Sequence, residues 1–363
     1  MKASVVRRFG GGFGLADVEI ATPIGREVLV DVRASGLCHS DQIASSRALG
    51  TEPPMVLGHE AAGIVTAIGP EVTELSIGDH VVVCLVRSCG RCRGCVSGRP
   101  VLCQNPGVAQ RGPGDPPRLM LNGAPVAQGF GVGGFAQQVL VHESQIAVVP
   151  DELPWPQAAL LGCGVATGAG AVLNAANVQP SDTVVVVGAG GVGLNALTAA
   201  GIAGASTIIA IDIADEKLER ARRFGATHVI NSRVQDPVEA VHALTDTGAD
   251  AVFDFVGASP VTAQSLRMVA PGGGLYLLGL LDPAAALTFT PTDLLLSKRR
   301  IVGVYMGDIT VKRDIPRYAD LYLQGRFELD GLVSRQIALE DVQAGYEMLA
   351  DPDVARVVVT DFT

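Results

Sequence analysis

The chain has 363 residues, 48% apolar and 18% charged, which allows two domains with a sizeable core and excludes a disordered chain. Its formal charge is 27 − 37 = −10, so nothing favours nucleic acid or an anionic membrane as a partner. Met1-Lys-Ala-Ser-Val-Val runs straight into Arg7-Arg8 with no leader-like apolar core, and no apolar run looks long enough to span a bilayer; we expect a soluble cytoplasmic protein.

Up to about residue 150 the chain reads as short strands and turns. Val28–Arg33, Gly63–Ile68 and His80–Val86 are strand candidates, and no long amphipathic helix is evident. Cys38-His39-Ser40-Asp41 follows the first strand, and Gly58-His59-Glu60 precedes another. Cys84 falls inside a predicted strand and reads as core. Cys89, Cys92, Cys95 and Cys103 lie close together on one loop. Four thiolates complete a tetrahedron, so a zinc held there is closed and structural. Arg87, Arg91, Arg93 and Arg99 offset the negative charge of such a site. A redox switch or a pair of disulfides is the competing reading, disfavoured by the reducing compartment and the tight spacing. Gln104 to Gly134 holds 13 Gly and Pro among 31 residues and is predicted to be a surface loop.

Gly162-Cys163-Gly164 then opens a segment rich in alanine and glycine. Two cysteines and one histidine are a known ligand set for a catalytic zinc with an open fourth position, so Cys38, His59 and Cys163 are candidates. Their convergence cannot be read from sequence. Thr183–Val187 is an apolar strand, followed by the turn Gly188-Ala-Gly190-Gly191-Val192-Gly193, a small-residue helix ended by Gly204, and a strand stopping at Asp212. That is the order a dinucleotide requires. Gly188 permits the tight turn, Gly190 lets the pyrophosphate approach, and Gly193 lets helix and strand pack closely. Asp212 can accept the ribose hydroxyls and repels a ribose phosphate, which favours NAD over NADP. Strands are predicted at 183–187, 206–212, 228–230, 250–255, 274–279 and 301–305, alternating with helices. One of these helices, Asp215–Phe224, should be capped by Asp215 and ended by Gly225. Lys298–Arg300 reads as a solvated turn, Glu340–Met348 as an amphipathic helix, and Ala355–Val359 as a last strand. There is no internal repeat.

Together these motifs, with Gly78-Asp-His80 and Gly162-Cys-Gly-Val-Ala-Thr-Gly168, resemble the zinc-dependent medium-chain alcohol dehydrogenases nearly end to end. The retained segment between Cys103 and Phe135 is most similar to the longer, dimeric members. The resemblance implies an α/β protein: a GroES-like, β-rich catalytic domain (1–164 and 306–363, with a structural zinc lobe at about 86–104) and a Rossmann doubly wound parallel sheet binding NAD (165–305). It implies two zinc ions per chain and reversible hydride transfer between an alcohol and NAD, the catalytic zinc acting as Lewis acid. By position in the family motifs, Ser40 would pass the proton outward, Asp41 would orient His59, and Glu60 would tune the metal from behind. His39 and Arg356 would contact the pyrophosphate, Lys217 the adenosine ribose, and Thr167 and Val192 the nicotinamide. Many relatives end the proton relay in a histidine where this chain has Ile43, so the relay should end at the cofactor ribose and solvent. Pocket positions inferred from the family are Leu49, Leu85, Leu119 and Leu121. Leu49 and Gly107 stand where members acting on glutathione adducts carry charge. Primary alcohols with an apolar or aryl body are therefore expected. The alternatives are a formaldehyde dehydrogenase using another thiol, a reductase of conjugated double bonds, and a non-catalytic NAD- or zinc-binding protein of the same fold. A homodimer is expected along the sheet edge formed by Gly273–Leu281 and 301–305.

Overall fold

A computed structural model of the chain describes residues 1–279 and 286–363. It divides into two units: Met1–Gly164 with Ile309–Gly325 and Leu329–Thr363, and Val165–Asp308 with Arg326–Glu328.

The first unit is built around strand Glu27–Gly36, in which Val28, Val30, Val32 and Ala34 are buried. This strand pairs antiparallel with Glu60–Ile68, Gln138–His142 and Arg356–Asp361. Its apolar side packs with Val65, Val81, Val83, Val139 and Ile146 in one dry core, the alternation expected of a strand with one face inward. Strand His80–Val83 continues the sheet beside Glu60–Ile68. It is shorter than predicted and stops before Cys84. There the Gln145 side-chain amide donates to the Cys84 carbonyl, and the Cys84 N–H donates to the Gln145 carbonyl. Cys84 itself is fully buried, and burial pushes its thiol up to about 12.

The predicted loop Gln104–Gly134 needs correcting, because it contains a hairpin. Leu119–Leu121 pairs with Ala124–Gln128 across Asn122-Gly123, both at positive φ (52° and 77°). Asn-Gly is the signature of such a two-residue turn, and its signal was masked by the surrounding prolines and glycines. The hairpin joins a second sheet whose core includes Ala3, Val5, Val18, Val56 and Val126. Leu119 is 1% exposed within that core and Leu121 packs against it, so both are packing residues of this sheet and not pocket positions. Glu27, at the start of the central strand, accepts hydrogen bonds from Arg111 Nε (2.9 Å) and Arg118 Nε (2.7 Å). This buried carboxylate ties the loop to the central strand.

Residues 155–176 form one helix with π-helical turns at Leu161–Val165 and Ala171–Ala176. Among the described residues this helix alone has the length and hydropathy to cross a membrane, yet 78% of its apolar window is buried in the protein. Its small alanines and glycines allow close packing, as in the core helix of a folded domain.

The second unit carries a six-stranded parallel sheet. Its strands lie in the order His228–Asn231, Thr207–Asp212, Thr183–Val187, Ala249–Asp254, Val269–Leu277, Arg300–Gly303. The order reverses beside Thr183–Val187, the switch point at which open α/β sheets bind ligands. Helix Gly191–Ala203 ends at Gly204 with φ +88°. Helix Asp215–Arg223 is followed by Gly225 at φ +100°. Asp215 is not its cap: the cap position is Ala214, and the Asp215 carboxylate instead accepts from Asn231 Nδ2. Leu280 and Leu281 of the expected dimer edge lie outside the described residues.

Candidate metal centre and nucleotide turn

Register explains how distant residues meet. Gly36 pairs with Glu60 across the central ladder, so Cys38, two residues past one strand, comes beside His59, one residue before the other. Leu37 N–H donates to the Val357 carbonyl, which brings Arg356 to the same end of the sheet. A Cβ on Gly36 would collide with the Glu60 carboxylate, so only glycine lets that side chain in. The helix carrying Cys163 lies against strand His80–Val83. A Cβ at Gly162 would stand 2.5 Å from the Val83 carbonyl oxygen, and one at Gly164 would overlap the Arg356 guanidinium. Both flanking glycines are thus set by close packing.

The ligand atoms of Cys38, His59, Glu60 and Cys163 all lie within 4.8 Å of one another. His59 Nε2 is 3.2 Å from Cys163 Sγ. On its other side His59 Nδ1 is 3.0 Å from Asp41 Oδ2, and Asp41 Oδ1 accepts the Gly58 N–H at 2.9 Å. A carboxylate behind a histidine fixes the tautomer that leaves Nε2 free to bind a metal. Asp41, His59 and Glu60 are at most 1% exposed.

The electrostatics fit a cation. The hydrogen bond with Cys163 holds the Cys38 thiol well below its ordinary range, against its burial and with help from His59. The same contact and burial push Cys163 well up. Burial pushes Glu60 up to about 7, although Arg356 NH1 lies 3.3 Å from its Oε1. Neither Glu60 oxygen has a hydrogen-bond donor. Burial opposes charge on His59, but Asp41 and Cys38 raise it well above its usual value. Two sulfurs, an imidazole nitrogen and an under-satisfied carboxylate are a donor set suited to zinc.

Ser40 Oγ is 3.6 Å from Cys38 Sγ. His39 is exposed in the first turn of helix His39–Ser46. Arg356, expected at a pyrophosphate, is 5% exposed and also donates to the Leu37 carbonyl at 3.2 Å. Leu49 packs in the same apolar cluster as Leu57 and Phe130, while Leu85 packs against the core of the central sheet. Phe130 escaped notice in the sequence. Its ring lies edge-on to His59, with centroids 4.8 Å apart. The only signal was an aromatic residue alone in a run of glycines, Gly129 to Gly134.

The four lobe cysteines also have their sulfurs within 4.8 Å of one another. Three of the sulfur–sulfur separations are 3.5, 3.9 and 4.0 Å, far beyond a disulfide and close to the edge of about 3.8 Å for a tetrahedron with 2.3 Å arms. Backbone N–H groups of Cys89 and Asn105 donate to Cys103 Sγ, and that of Gln104 to Cys92 Sγ. The N–H groups of Cys95 and Gln104 hold the Cys92 thiol down to about 6. Such donors stabilise thiolates.

In the second unit Gly188 takes φ +95°. A Cβ on Gly193 would stand 2.0 Å from the Gly188 carbonyl oxygen, whereas one on Gly190 would meet nothing within 4 Å. Gly193 is therefore required by the fold, while the space at Gly190 is left open to a ligand. Gly191 begins the helix, and Val192 beside it is half-buried. Asp212 Oδ2 accepts the Ala189 N–H at 2.9 Å, and its Oδ1 accepts from Ile213 and Ala214. Thr167 Oγ1 lies 3.7 Å from Met306 Sδ, and Lys217 is half-buried on its helix.

Two family models match. Residues 25–151 match the alcohol dehydrogenase GroES-like domain, and residues 191–324 match the zinc-binding dehydrogenase family. The chain is 32% identical to an S-(hydroxymethyl)glutathione dehydrogenase of Paracoccus denitrificans, covering 99% of both. It superimposes on the benzyl alcohol dehydrogenase of Acinetobacter calcoaceticus with a TM-score of 0.93 at 36% identity, over 99% of each chain. A protein from Sinorhizobium meliloti solved bound to NADP matches with a TM-score of 0.82 at 28% identity, covering 99% of this chain and 98% of that one.

Proposed function

Because the chain belongs to the zinc-dependent medium-chain dehydrogenases, we propose that it catalyses reversible hydride transfer between NAD and a primary alcohol with an apolar or aryl body. The observation that carries this reading is the meeting of Cys38, His59 and Cys163 within 4.8 Å, with Asp41 behind the histidine. Zinc at these residues would supply Lewis acidity toward the substrate oxygen, and NAD would accept the hydride. A second zinc would sit on Cys89, Cys92, Cys95 and Cys103 and hold the lobe.

The chain's own groups do the rest. Asp41 keeps the proton of His59 on Nδ1. Ser40, on the first turn after Cys38, takes the hydroxyl proton and hands it outward. Ile43 has no group to carry it further, so the relay would end at solvent or at the ribose of a bound cofactor. Glu60 and Arg356 balance charge behind the donors. Gly188, Gly190, Gly191, Val192 and Gly193 would present the helix N-terminus to the pyrophosphate. Thr167 and Val192 would back the nicotinamide. Asp212 and Lys217 take the adenosine ribose, and the carboxylate of Asp212 supports NAD over NADP. Phe130 and Leu49 favour an aryl or alkyl substituent, in keeping with the likeness to a benzyl alcohol dehydrogenase.

A second copy of the chain is the proposed partner, along the outer strand Arg300–Gly303. The helix before it, Pro291–Ser297, exposes Leu295 and Leu296 (75% and 78%). Light-scattering mass at twice the chain mass is the expected result.

The test of activity is a panel of alcohols and aldehydes with NAD(H) and NADP(H), run beside metal analysis. Two zinc per chain and NAD-linked oxidation of benzyl-type alcohols are expected; no turnover by a zinc-replete protein would overturn the proposal. The likeness to a glutathione-adduct dehydrogenase favours one further arm, formaldehyde with and without thiols.

A further inference from the structure

Helix Val342–Met348 packs where the chain enters the candidate metal centre. A Cβ on Gly345 would stand 2.7 Å from Leu37 Cδ2, so glycine lets the helix press on the residue before Cys38. Tyr346, next along, is 3% exposed and shares one apolar cluster with Leu37, Ala44 and Leu57. Ala44 lies one helical turn beyond Asp41, and Leu57 precedes Gly58, whose N–H Asp41 accepts. Phe13 stacks on the Tyr346 ring with centroids 5.1 Å apart, and Phe135 meets both rings edge-on. Such a clamp fixes the ring, and with it the direction in which the hydroxyl leaves it.

Phenylalanine would supply the same ring, yet this chain carries a hydroxyl. Its oxygen is buried and has no hydrogen-bond partner among the described residues. A buried hydroxyl left so is costly, and buried polar groups are as a rule paired. Burial holds this phenol well above its ordinary pKa; Asp41, then Cys38 and Glu60, push the same way, and Arg356 opposes them. The group therefore keeps its proton and is a donor. Among these charges Asp41 acts on it most strongly. Asp41 Oδ2 has a lone pair to offer: beyond the 3.0 Å approach of His59 Nδ1 it accepts no hydrogen bond.

Resting on the zinc-centre reading above, we propose that Tyr346 is a positioning residue. Its hydroxyl donates, through one buried water, to Asp41 Oδ2 and holds that carboxylate turned toward His59. A water suits the place, with a donor on one side and a charged acceptor on the other. The contacts then run from the metal to His59, to Asp41 and to Tyr346, each outer member acting only through the one before it.

The test is zinc retention, read by competition with a graded chelator, in Tyr346→Phe, Asp41→Asn and the double variant. Tyr346→Phe keeps the ring and loses the donor. Zinc at Cys38, His59 and Cys163 should bind about three- to tenfold more weakly, less than the roughly 10–100-fold expected for Asp41 itself, while the lobe zinc is unchanged. In the Asp41→Asn background the second change should add nothing, because residues acting through one another are not additive. Unchanged affinity in Tyr346→Phe overturns the proposal. So do equal losses in the two backgrounds, which a packing defect would give. A second measurement needs no metal. Tyrosine isotopically labelled at Cζ gives one NMR signal per ring, 5 in this chain, and Tyr346→Phe assigns the relevant one. Asp41→Asn should move that signal in the metal-free protein; a signal that stays put overturns the proposal. If no zinc binds at Cys38, His59 and Cys163, the zinc-centre reading fails separately, and the tyrosine signal still decides the link between Tyr346 and Asp41.

Discussion

Replacing Asp41 by asparagine tests the metal centre at its least redundant point. Asp41 makes two contacts, accepting the Gly58 N–H at 2.9 Å and pairing with His59 Nδ1 at 3.0 Å, and it is wholly buried. Asparagine is nearly the same shape. Its oxygen can keep one of those donors, and its NH2 must face the other. If the oxygen stays on Gly58, an N–H meets the N–H at His59 Nδ1. The imidazole then shifts its proton to Nε2, the nitrogen 3.2 Å from Cys163 Sγ, and the lone pair a metal needs is lost. If the amide flips, the Gly58 N–H is orphaned in a dry interior, at a cost of about 1–3 kcal/mol. Loss of such a carboxylate behind a metal histidine weakens metal binding about 10–100-fold, or roughly 1.4–2.7 kcal/mol. Competition of the purified variant with a graded zinc chelator measures this. With zinc bound at both sites as proposed, the ion at Cys38, His59 and Cys163 should leave early, while the lobe zinc, far from the change in sequence, stays. Retention of both metals at wild-type affinity would show that Asp41 does not set the histidine tautomer, and the site would have to be rebuilt without it.

Ser40→Ala should lower turnover by about 100-fold or more, the range for lost acid–base assistance; an effect below threefold on the chemical step removes Ser40 from the proton path. The two turn glycines should separate cleanly. Gly190→Ala enters open space, so its Tm should match wild type while NAD binding, read by nucleotide fluorescence, weakens at least about tenfold. Gly193→Ala meets a carbonyl oxygen at 2.0 Å and should unfold earlier by calorimetry even without nucleotide; reversed outcomes would mean the turn is misassigned. Burial, together with Arg26 and Arg118, holds the His142 imidazole down to about 4, against 6.5 for the free side chain. Between those values the unfolded chain binds more protons than the folded one, so stability is present above about 6.5 and is lost as pH falls toward 4. His142→Asn should flatten the Tm–pH curve in that window, and an unchanged slope would place the acid sensitivity elsewhere.

Reading from sequence succeeded where one local pattern carries the physics. The strand, glycine turn, helix and Asp212 form a contiguous unit, and the parallel sheet around them takes the expected order. The four lobe cysteines are likewise close in sequence and close in space. Signals that depend on tertiary context were harder. Counting Gly and Pro hid the Asn122-Gly123 hairpin. Leu119 is apolar because it fills a sheet core, which an inferred pocket position cannot reveal. The burial of Arg356 against Glu60 depends on a strand from the far end of the chain. Phe130 becomes visible beside His59 only once the glycine run around it is folded.

The two candidate metal sites close chain loops of very different size. Cys89 to Cys103 spans 15 residues, whereas Cys38 to Cys163 spans 126. Gathering the longer loop costs about 2 kcal/mol more in chain entropy, and in practice it waits for the central ladder that aligns Gly36 with Glu60. During synthesis the lobe can therefore capture its ion while the rest of the chain is still emerging. The reactive site can be filled only after the helix bearing Cys163 has docked on its strand. Zinc scarcity during translation should thus yield molecules that are properly shaped at the lobe yet inert, and later supply of the ion should revive them without refolding.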